Sequence, residues 1–232
     1  MCFALAPGIS FCDAGGRHLF LDLPNDRYFC LESVADRAFA ALVSGAVLDS
    51  DTRARLDRLR QSGLLVAGRD GARPHPCPPA GIGAAPLDGE ELPRVGAAAV
   101  ARAAFGLARA KLELRRRPLH QLCATFGAAK AALSPHRRPD PQELAALAAA
   151  FHAAGRIVGA LDQCLALSLA IARRALASGF PADLLLGVRL RPFQAHAWVL
   201  IDGVLISDRQ HVVRPFTPIL PRWKDCSDKN GP

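Results

Sequence analysis

Three residues in the last third of the chain have side chains that could act together in nucleophilic catalysis. Cys164 starts a long apolar stretch, His196 lies in the run FQAHAWVLI, and Asp208 follows the next short apolar run. A thiol, an imidazole and a carboxylate are the groups of a Cys–His–Asp triad, in which the thiolate attacks a carbonyl carbon and the histidine moves protons. The sequence therefore predicts acyl chemistry, provided that the fold brings the three side chains together.

The stretch around Cys164 predicts a helix that would activate this thiol. Asp162 is the expected N-cap, which places Cys164 in the first helical turn. Unpaired backbone N–H groups there stabilise a thiolate and can also stabilise a tetrahedral oxyanion. The residues that follow are apolar on almost every side, so the helix should be central and buried. Taken alone, Cys164 is interpreted more simply as a buried structural cysteine.

The turn after His196 decides whether Asp208 can face it. A two-residue loop at 202–203 would place Asp208 opposite Ala197, with His196 on the other face of the sheet. A three-residue loop at 201–203, with a left-handed glycine in a bulge, would place Asp208 directly opposite His196. Opposed residues have Cβ atoms about 4.5–5.5 Å apart, which is close enough for a carboxylate to orient an imidazole. We therefore expect the three-residue loop, and Asp202 is the weaker candidate for the third member.

The composition narrows the classes of partner and cofactor. The 29 basic and 21 acidic residues give a net charge of +8, much of it in clusters at 115–117 and 137–138. Such clusters most often are solvated helix ends; an acidic peptide partner is the second interpretation, and nucleic acid is not expected because aromatic residues do not alternate with the basic ones. No CxxC motif or zinc-type spacing is present among the seven cysteines. We therefore expect neither metal nor other cofactor.

The cysteines and the N-terminus also predict the compartment. An odd number of cysteines without a pairing pattern indicates a reducing environment. The first residues lack the positive region and long apolar core of a signal peptide. No stretch offers roughly twenty uninterrupted strongly apolar residues, as a membrane-spanning helix requires. The expected protein is therefore cytoplasmic and has no membrane partner.

Changes in residue pattern predict two domains, a linker and a tail. Residues 1–67 contain strand-like runs followed by short helical ones, and residues 68–94 are rich in proline and glycine, as linkers are. Residues 95–220 are helical at first and end in a hairpin, and residues 221–232 are a polar tail. We predict an α+β fold class overall.

The longest motif resembles a known protease family. The sequences CLALSLAIARRALASGFPADLLLGVR and PFQAHAWVLIDGVLISD resemble the transglutaminase-like cysteine protease domain of lasso-peptide biosynthesis B proteins, which are leader peptidases. The resemblance covers about residues 95–220. It implies a papain/transglutaminase-like α+β domain in which a central Cys-bearing helix packs against an antiparallel sheet. It also implies that Cys164 is the nucleophile, His196 the general base and acid, and Asp208 the orienting carboxylate.

The N-terminal part is similar to the other half of that family. The run DRYFCL, the two helices after it and the run SGLLV resemble a RiPP recognition element, a small winged-helix-like domain that binds leader peptides. The resemblance implies that a leader docks as an extra strand, held by main-chain hydrogen bonds. The residues expected to contact it are Arg27, Tyr28, Phe29, Cys30 and Leu31 on the strand and Leu56, Leu59 and Arg60 on the facing helix.

The resulting hypothesis is a protease that removes the leader from a lasso precursor peptide. The resemblance implies a second partner, an ATP-dependent macrolactam synthetase that takes the freed core peptide. Two alternatives stay open. One is another acyl transfer on the same triad, of the transglutaminase type. The other is a peptide-binding adaptor without catalytic activity.

Overall fold

The protein folds into two compact units that meet along the chain at Pro78 and Pro79. The computed structural model describes residues 2–68, 73–89, 91–133, 137–159 and 163–220. It contains both helices and sheets, so the mixed fold class predicted from the sequence is confirmed at that level. The boundary between the units lies inside the predicted linker. Parts of that linker are hydrogen-bonded within each unit, for example from Cys77 N–H to the Phe11 carbonyl at 2.9 Å.

The first unit is built on a three-stranded antiparallel sheet with two helices after it. The sheet has β3 in its centre and β2 and β4 at its edges, while β1 pairs separately with β5. The apolar core lies between strands and helices and is dominated by phenylalanines. Its winged-helix classification stays a prediction. The elements are β1 (Cys2–Leu5), β2 (Ile9–Asp13), β3 (His18–Asp22), β4 (Arg27–Cys30), α1 (Ser33–Ser44), α2 (Ser50–Gln61) and β5 (Leu65–Gly68).

Local sequence signals explain where these helices begin and end. Gly45 ends α1 in a left-handed conformation (φ 74°) and returns its N–H to the Leu42 carbonyl. Asp49 caps α2 by accepting the N–H of Thr52 at 2.7 Å.

The second unit contains four long helices and a four-stranded antiparallel sheet. The strand order is β8-β7-β6-β9. A short β9 pairs with β6 on the side away from β7, a pairing that the sequence pattern did not indicate. The elements are α3 (Ala97–Arg116), α4 (Leu119–Ala131), α5 (Pro141–Val158), α6 (Cys164–Ala177), β6 (Ala182–Leu190), β7 (Phe193–Ile201), β8 (Val204–Leu205), α7 (Gln210–Val213) and β9 (Thr217–Pro218).

Helix α6 is the centre of this unit. It packs against α3 and α5 on one side and against β6 and β7 on the other. The residues from Ala166 to Ala172 are all buried, so the expectation of a central apolar helix is confirmed. The predicted N-cap Asp162 lies outside the described residues, and Gln163 precedes the first helical residue, Cys164.

The register of the β7–β8 hairpin differs from our expectation. Ile201 pairs with Val204, which is the register of a two-residue loop, so the predicted three-residue loop is wrong. Asp202 and Gly203 both adopt positive φ values, 49° and 81°. Two left-handed residues make the primed turn that matches the twist of the flanking strands, and Asp-Gly is a favoured sequence for it. The position of Asp208 must therefore have another explanation than the loop length.

No helix in the described ranges is both long enough and apolar enough to cross a lipid bilayer.

Candidate active site

Cys164 is the first residue of α6, and the strand that carries His196 fixes its position. Ser168 lies one helical turn further along α6 and is completely buried. Its hydroxyl donates to the Ala197 carbonyl of β7 at 2.9 Å. Because Ala197 directly follows His196, this bond ties the start of the helix to the histidine. The thiol is half-buried, in contact with the imidazole and with the backbone N–H of Ala197.

Two aromatic rings hold the His196 imidazole. Phe216 stacks on it with the ring centroids 5.1 Å apart, and Trp198, on the same face of β7, lies at 6.3 Å. Gly187 pairs with His196 on the neighbouring strand. A side chain there would lie 2.4 Å from the Trp198 ring, so a glycine at this position allows the tryptophan to support the histidine.

Asp208 reaches His196 because the chain leaves the strand after Leu205. Ile206 N–H still bonds to the Val199 carbonyl, but the Val199 N–H donates to the Ser207 hydroxyl at 3.0 Å instead of continuing the ladder. Ser207 in turn donates to Asp208 Oδ2 at 2.7 Å. The chain bends here, and Asp208 Oδ1 comes within 3.4 Å of His196 Nε2. The hydrogen bonds of Ser207, and not the register of the β7–β8 hairpin, therefore direct the Asp208 carboxylate toward His196.

The environment of Cys164 favours its thiolate. Burial is the largest single influence and opposes ionisation, but hydrogen bonds from His196 and from the N–H groups of Ala197 and Leu165, together with the imidazolium charge, outweigh it. The pKa of the Cys164 thiol is therefore below its ordinary value of 9.0. The Leu165 amide belongs to the half-buried first turn of α6, where unpaired N–H groups stabilise negative charge.

The environment of His196 favours its imidazolium. Burial again opposes the charge, but Asp208 and Cys164 raise the pKa of the imidazole from 6.5 to about 9. The 3.4 Å separation from Asp208 is longer than an ordinary N–H···O hydrogen bond, and Nε2 has no hydrogen-bond partner among the described residues. The attraction is therefore mainly that of two opposite charges at close range. Since Nε2 faces the carboxylate, Nδ1 is the nitrogen left for the thiol.

The structure thus brings Cys164, His196 and Asp208 together, and their catalytic roles stay a prediction. The arrangement favours the thiolate of Cys164 beside the imidazolium of His196, which are the groups needed for a nucleophile and a general acid. Asp202 lies in the turn and does not take part. Sequence reasoning missed Ser168 and Ser207. Each is a hydroxyl residue inside or beside an apolar run, which is a signal visible in the sequence. Their hydrogen-bond partners on β7 are not, because β7 is a separate element.

The residues predicted to bind a leader occupy two settings in the first unit. Arg27 to Cys30 form β4, an edge strand whose Arg27 guanidinium lies over the Phe29 ring at 5.2 Å. Leu31 follows the strand, and its carbonyl accepts from Arg17 at 2.8 Å. These placements fit an edge that can accept another strand.

The three predicted helix residues differ in exposure. Leu56 is completely buried, Leu59 is half-buried, and Arg60 is exposed and paired with Asp57 at 3.4 Å. Phe29, Leu56 and Leu59 belong to one apolar cluster. Leu56 therefore acts as a core residue beneath this surface, because a docked peptide cannot touch a side chain with no exposed area.

No group of His, Cys, Asp and Glu in the described ranges is arranged to hold a metal ion.

Comparison with known proteins gives one match. The family model described as the transglutaminase-like superfamily matches residues 104–221, which include all three candidate catalytic residues. No curated protein and no solved structure matches the chain.

Proposed function

Because the chain belongs to the transglutaminase-like superfamily, we propose that it is a cysteine protease that cleaves the leader from a lasso precursor peptide. The superfamily match is compatible with amide hydrolysis and with acyl transfer alike. The choice of hydrolysis, and of a leader peptide as substrate, rests on the resemblance of both units to lasso B proteins.

One observation carries the chemical part of the proposal. Cys164 is at the start of a buried helix, and its pKa is lowered by the same histidine whose own pKa is raised to about 9. Each group shifts the pKa of the other in the direction that favours a thiolate–imidazolium pair, which is the reactive form of a cysteine protease.

The proposed reaction proceeds through a thioester. The Cys164 thiolate attacks the scissile carbonyl, and the resulting oxyanion faces the N–H groups at the start of α6. The imidazolium of His196 gives its proton to the leaving amine, and Asp208 holds the ring in orientation. His196 then accepts a proton from water, the hydroxide attacks the thioester, and the acid product leaves with Cys164 regenerated.

The first unit would supply the leader-binding site. The proposed leader adds a strand at the edge of the sheet formed by β4, along Arg27–Leu31. Because both units are in one chain, a leader held by the first unit raises the effective concentration of the scissile bond at the second. The core peptide released by cleavage would pass to an ATP-dependent macrolactam synthetase.

Incubating the Cys164→Ala variant with a precursor peptide encoded beside this chain's gene tests the chemistry. We expect this variant to lose all cleavage between leader and core, as measured by mass spectrometry. The control is Cys123→Ala, altered at a buried cysteine of α4, which should cleave the peptide normally. Normal cleavage by Cys164→Ala contradicts the proposal.

The same spectra separate the alternatives. A hydrolysed product carries the mass of an added water, and an acyl-transfer product carries the mass of an added amine. A wild-type protein that binds the peptide without altering its mass is the result expected of an adaptor.

A strand-blocking variant tests the leader site separately. Cys30→Pro removes a backbone N–H from the outer edge of β4, since Phe29 pairs inward with Phe20 of β3, and should weaken leader binding at least tenfold, about 1.4 kcal/mol. Unchanged affinity, measured by fluorescence anisotropy on a folded variant, contradicts strand addition.

A further inference from the structure

A cavity of about 480 Å³ lies in the second unit next to the candidate active site. Asp208 and Ser207 form part of its wall, so it adjoins the carboxylate end of the candidate triad. Leu167 and Ile171 form another part, and these residues follow Cys164 along the same face of α6. The volume is within the range of about 300–1,000 Å³ that ligand pockets occupy.

The wall of the cavity is largely apolar. Among its apolar lining residues, Leu87 and Leu167 are 8% and 6% exposed, Leu92 is half-buried and Val212 is 36% exposed. Leu87 and Leu167 belong to the buried core of the unit, and Leu92 packs against that core. The space suits a large aliphatic or aromatic side chain.

The mouth of the cavity is basic. His152 and Arg156 stand one turn apart on α5, and Arg209 directly follows Asp208. Both arginines are exposed. Asp208 is an acidic group on this wall, and its two oxygens face His196 and Ser207. Among the described residues Arg156 and Arg209 form no ion pair, so an incoming carboxylate could pair with either guanidinium group.

We propose that this cavity is the pocket that selects the substrate next to the bond that Cys164 attacks. Its occupant is a peptide segment with a large apolar side chain and a carboxylate beside it. The apolar side chain fills the space along α6, and the carboxylate pairs with Arg156 or Arg209 at the mouth. This inference rests on the proposed function, since it takes Cys164 as the reacting group.

Four chloroacetamides test the pocket without knowledge of the natural substrate. Each reacts by attack of the Cys164 thiolate on the CH₂ group, which forms a thioether and releases chloride. The probes are chloroacetamide, its N-phenylethyl derivative, N-chloroacetylglycine and N-chloroacetylphenylalanine. Rates at Cys164 are measured by peptide mapping and divided by the rate of each probe with N-acetylcysteine, which removes differences in intrinsic reactivity.

We expect the two probes with a phenyl ring to react about tenfold faster than their partners without one, the scale of burying such a ring. The carboxylate should add about a further threefold. Val212→Trp, at the mouth, should lower the phenyl advantage to near one, and Arg156→Glu should remove the carboxylate advantage. Val47→Trp and Arg138→Glu, exposed residues outside the cavity, are the matched controls and should retain both advantages.

Two outcomes contradict the proposed pocket. One is equal normalised rates for all four probes in the wild type. The other is an equal loss of the phenyl or carboxylate advantage in a cavity variant and in its matched control. Failure of the proposed function is a separate result. In that case chloroacetamide itself labels Cys164 no faster than it labels N-acetylcysteine at neutral pH, whatever the ratios between the probes.

Discussion

Each unit of the protein contains a cysteine, a histidine and an aspartate, yet only one set is arranged for chemistry. In the first unit, His18 Nδ1 and Asp36 Oδ1 are 2.9 Å apart, closer than His196 and Asp208 at 3.4 Å. Cys12 lies in the adjacent strand β2. A tight histidine–aspartate pair with a cysteine nearby is therefore not sufficient to make a reactive thiol.

The two cysteines differ in where their elements place them. Cys12 is in the middle of a strand, opposite Leu19, while His18 pairs with Asp13 and so lies on the other face of the sheet. Burial, with the charges of Asp13 and Cys30, raises the pKa of Cys12 to about 12. Cys164 is at the start of a helix and faces its histidine directly.

The two histidines also differ in use. His18 is enclosed by Phe11 and Phe39, with ring centroids 5.6 and 5.2 Å away, and its bond to Asp36 joins β3 to α1. It is a structural link. His196 has one side against Phe216 and keeps a nitrogen for the thiol. The comparison teaches that placement at a helix start and in contact with a histidine, rather than the residue types, distinguishes the candidate nucleophile from Cys12.

The largest effect should come from removing the negative charge in each pair. Asp208→Asn leaves the imidazole without the charge that orients it, and we expect cleavage to fall by about 10²–10⁴-fold, as in other triads. Asp36→Asn is the matched change and should leave the rate of cleavage within about twofold, because it alters only a structural bond. Steady-state kinetics on both variants measures this. Similar losses of cleavage rate in both variants would contradict the distinction between the two histidine–aspartate pairs.

The second effect is the difference in alkylation between the two thiols. With one pKa near 12 and the other below 9.0, the thiolate fractions at pH 7 differ by at least about 10³-fold. The more acidic thiolate is intrinsically less nucleophilic, which offsets about 30-fold and leaves at least about 30-fold in rate. Peptide mapping after brief treatment with iodoacetamide gives both rates at once. Equal labelling of Cys12 and Cys164 would contradict the assignment of their environments.

The third effect concerns the serine that aims the carboxylate. Ser207→Ala removes a hydrogen bond to a charged oxygen, worth about 1.5–3 kcal/mol, and should lower cleavage about 10- to 100-fold. The loss should appear in kcat rather than KM, since Ser207 acts on the orientation of Asp208. Ser44→Ala, which removes an exposed hydroxyl bond in the first unit, is the control. A KM effect alone would assign Ser207 to substrate binding instead.

The sequence predicted the helices and strands of the site better than the contacts between them. The apolar run after Cys164 predicted α6, and the structure shows a local capping box at Asp140 and Glu143 at the start of α5. These signals are local, since a helix and its caps involve residues within one or two turns. The three candidate catalytic residues were found because their types are distinctive.

The connections depend on contacts between distant residues, which local patterns do not encode. The predicted hairpin register was wrong, yet Asp208 still reaches His196, because the Ser207 hydroxyl takes the N–H of Val199 and ends the ladder. A serine before an aspartate carries no local signal for this. Leu56 was expected at the leader surface because of the family resemblance, which does not give the depth of this side chain in the core, and the structure buries it completely.

The smallest effect, and the sharpest test of the comparison, is the pH at which Cys164 becomes reactive. His196 lowers the pKa of this thiol, against burial, which raises it. His196→Ala removes the lowering and keeps most of the burial, so the rise of the alkylation rate with pH should move to higher pH than in the wild type. His18→Ala removes an imidazole that does not face Cys12 or Cys164, so the rise should stay in place.

In the wild type, cleavage should also fall as pH passes about 9, because His196 then loses the proton that the leaving amine needs. Rates of chloroacetamide labelling of Cys164 between pH 5 and 10, in buffers of constant ionic strength, measure the shift that His196→Ala causes in the pH dependence of alkylation. If His196→Ala leaves the rise where it is in the wild type, the helix start alone activates the thiol, and the contrast between the two histidines has no chemical consequence.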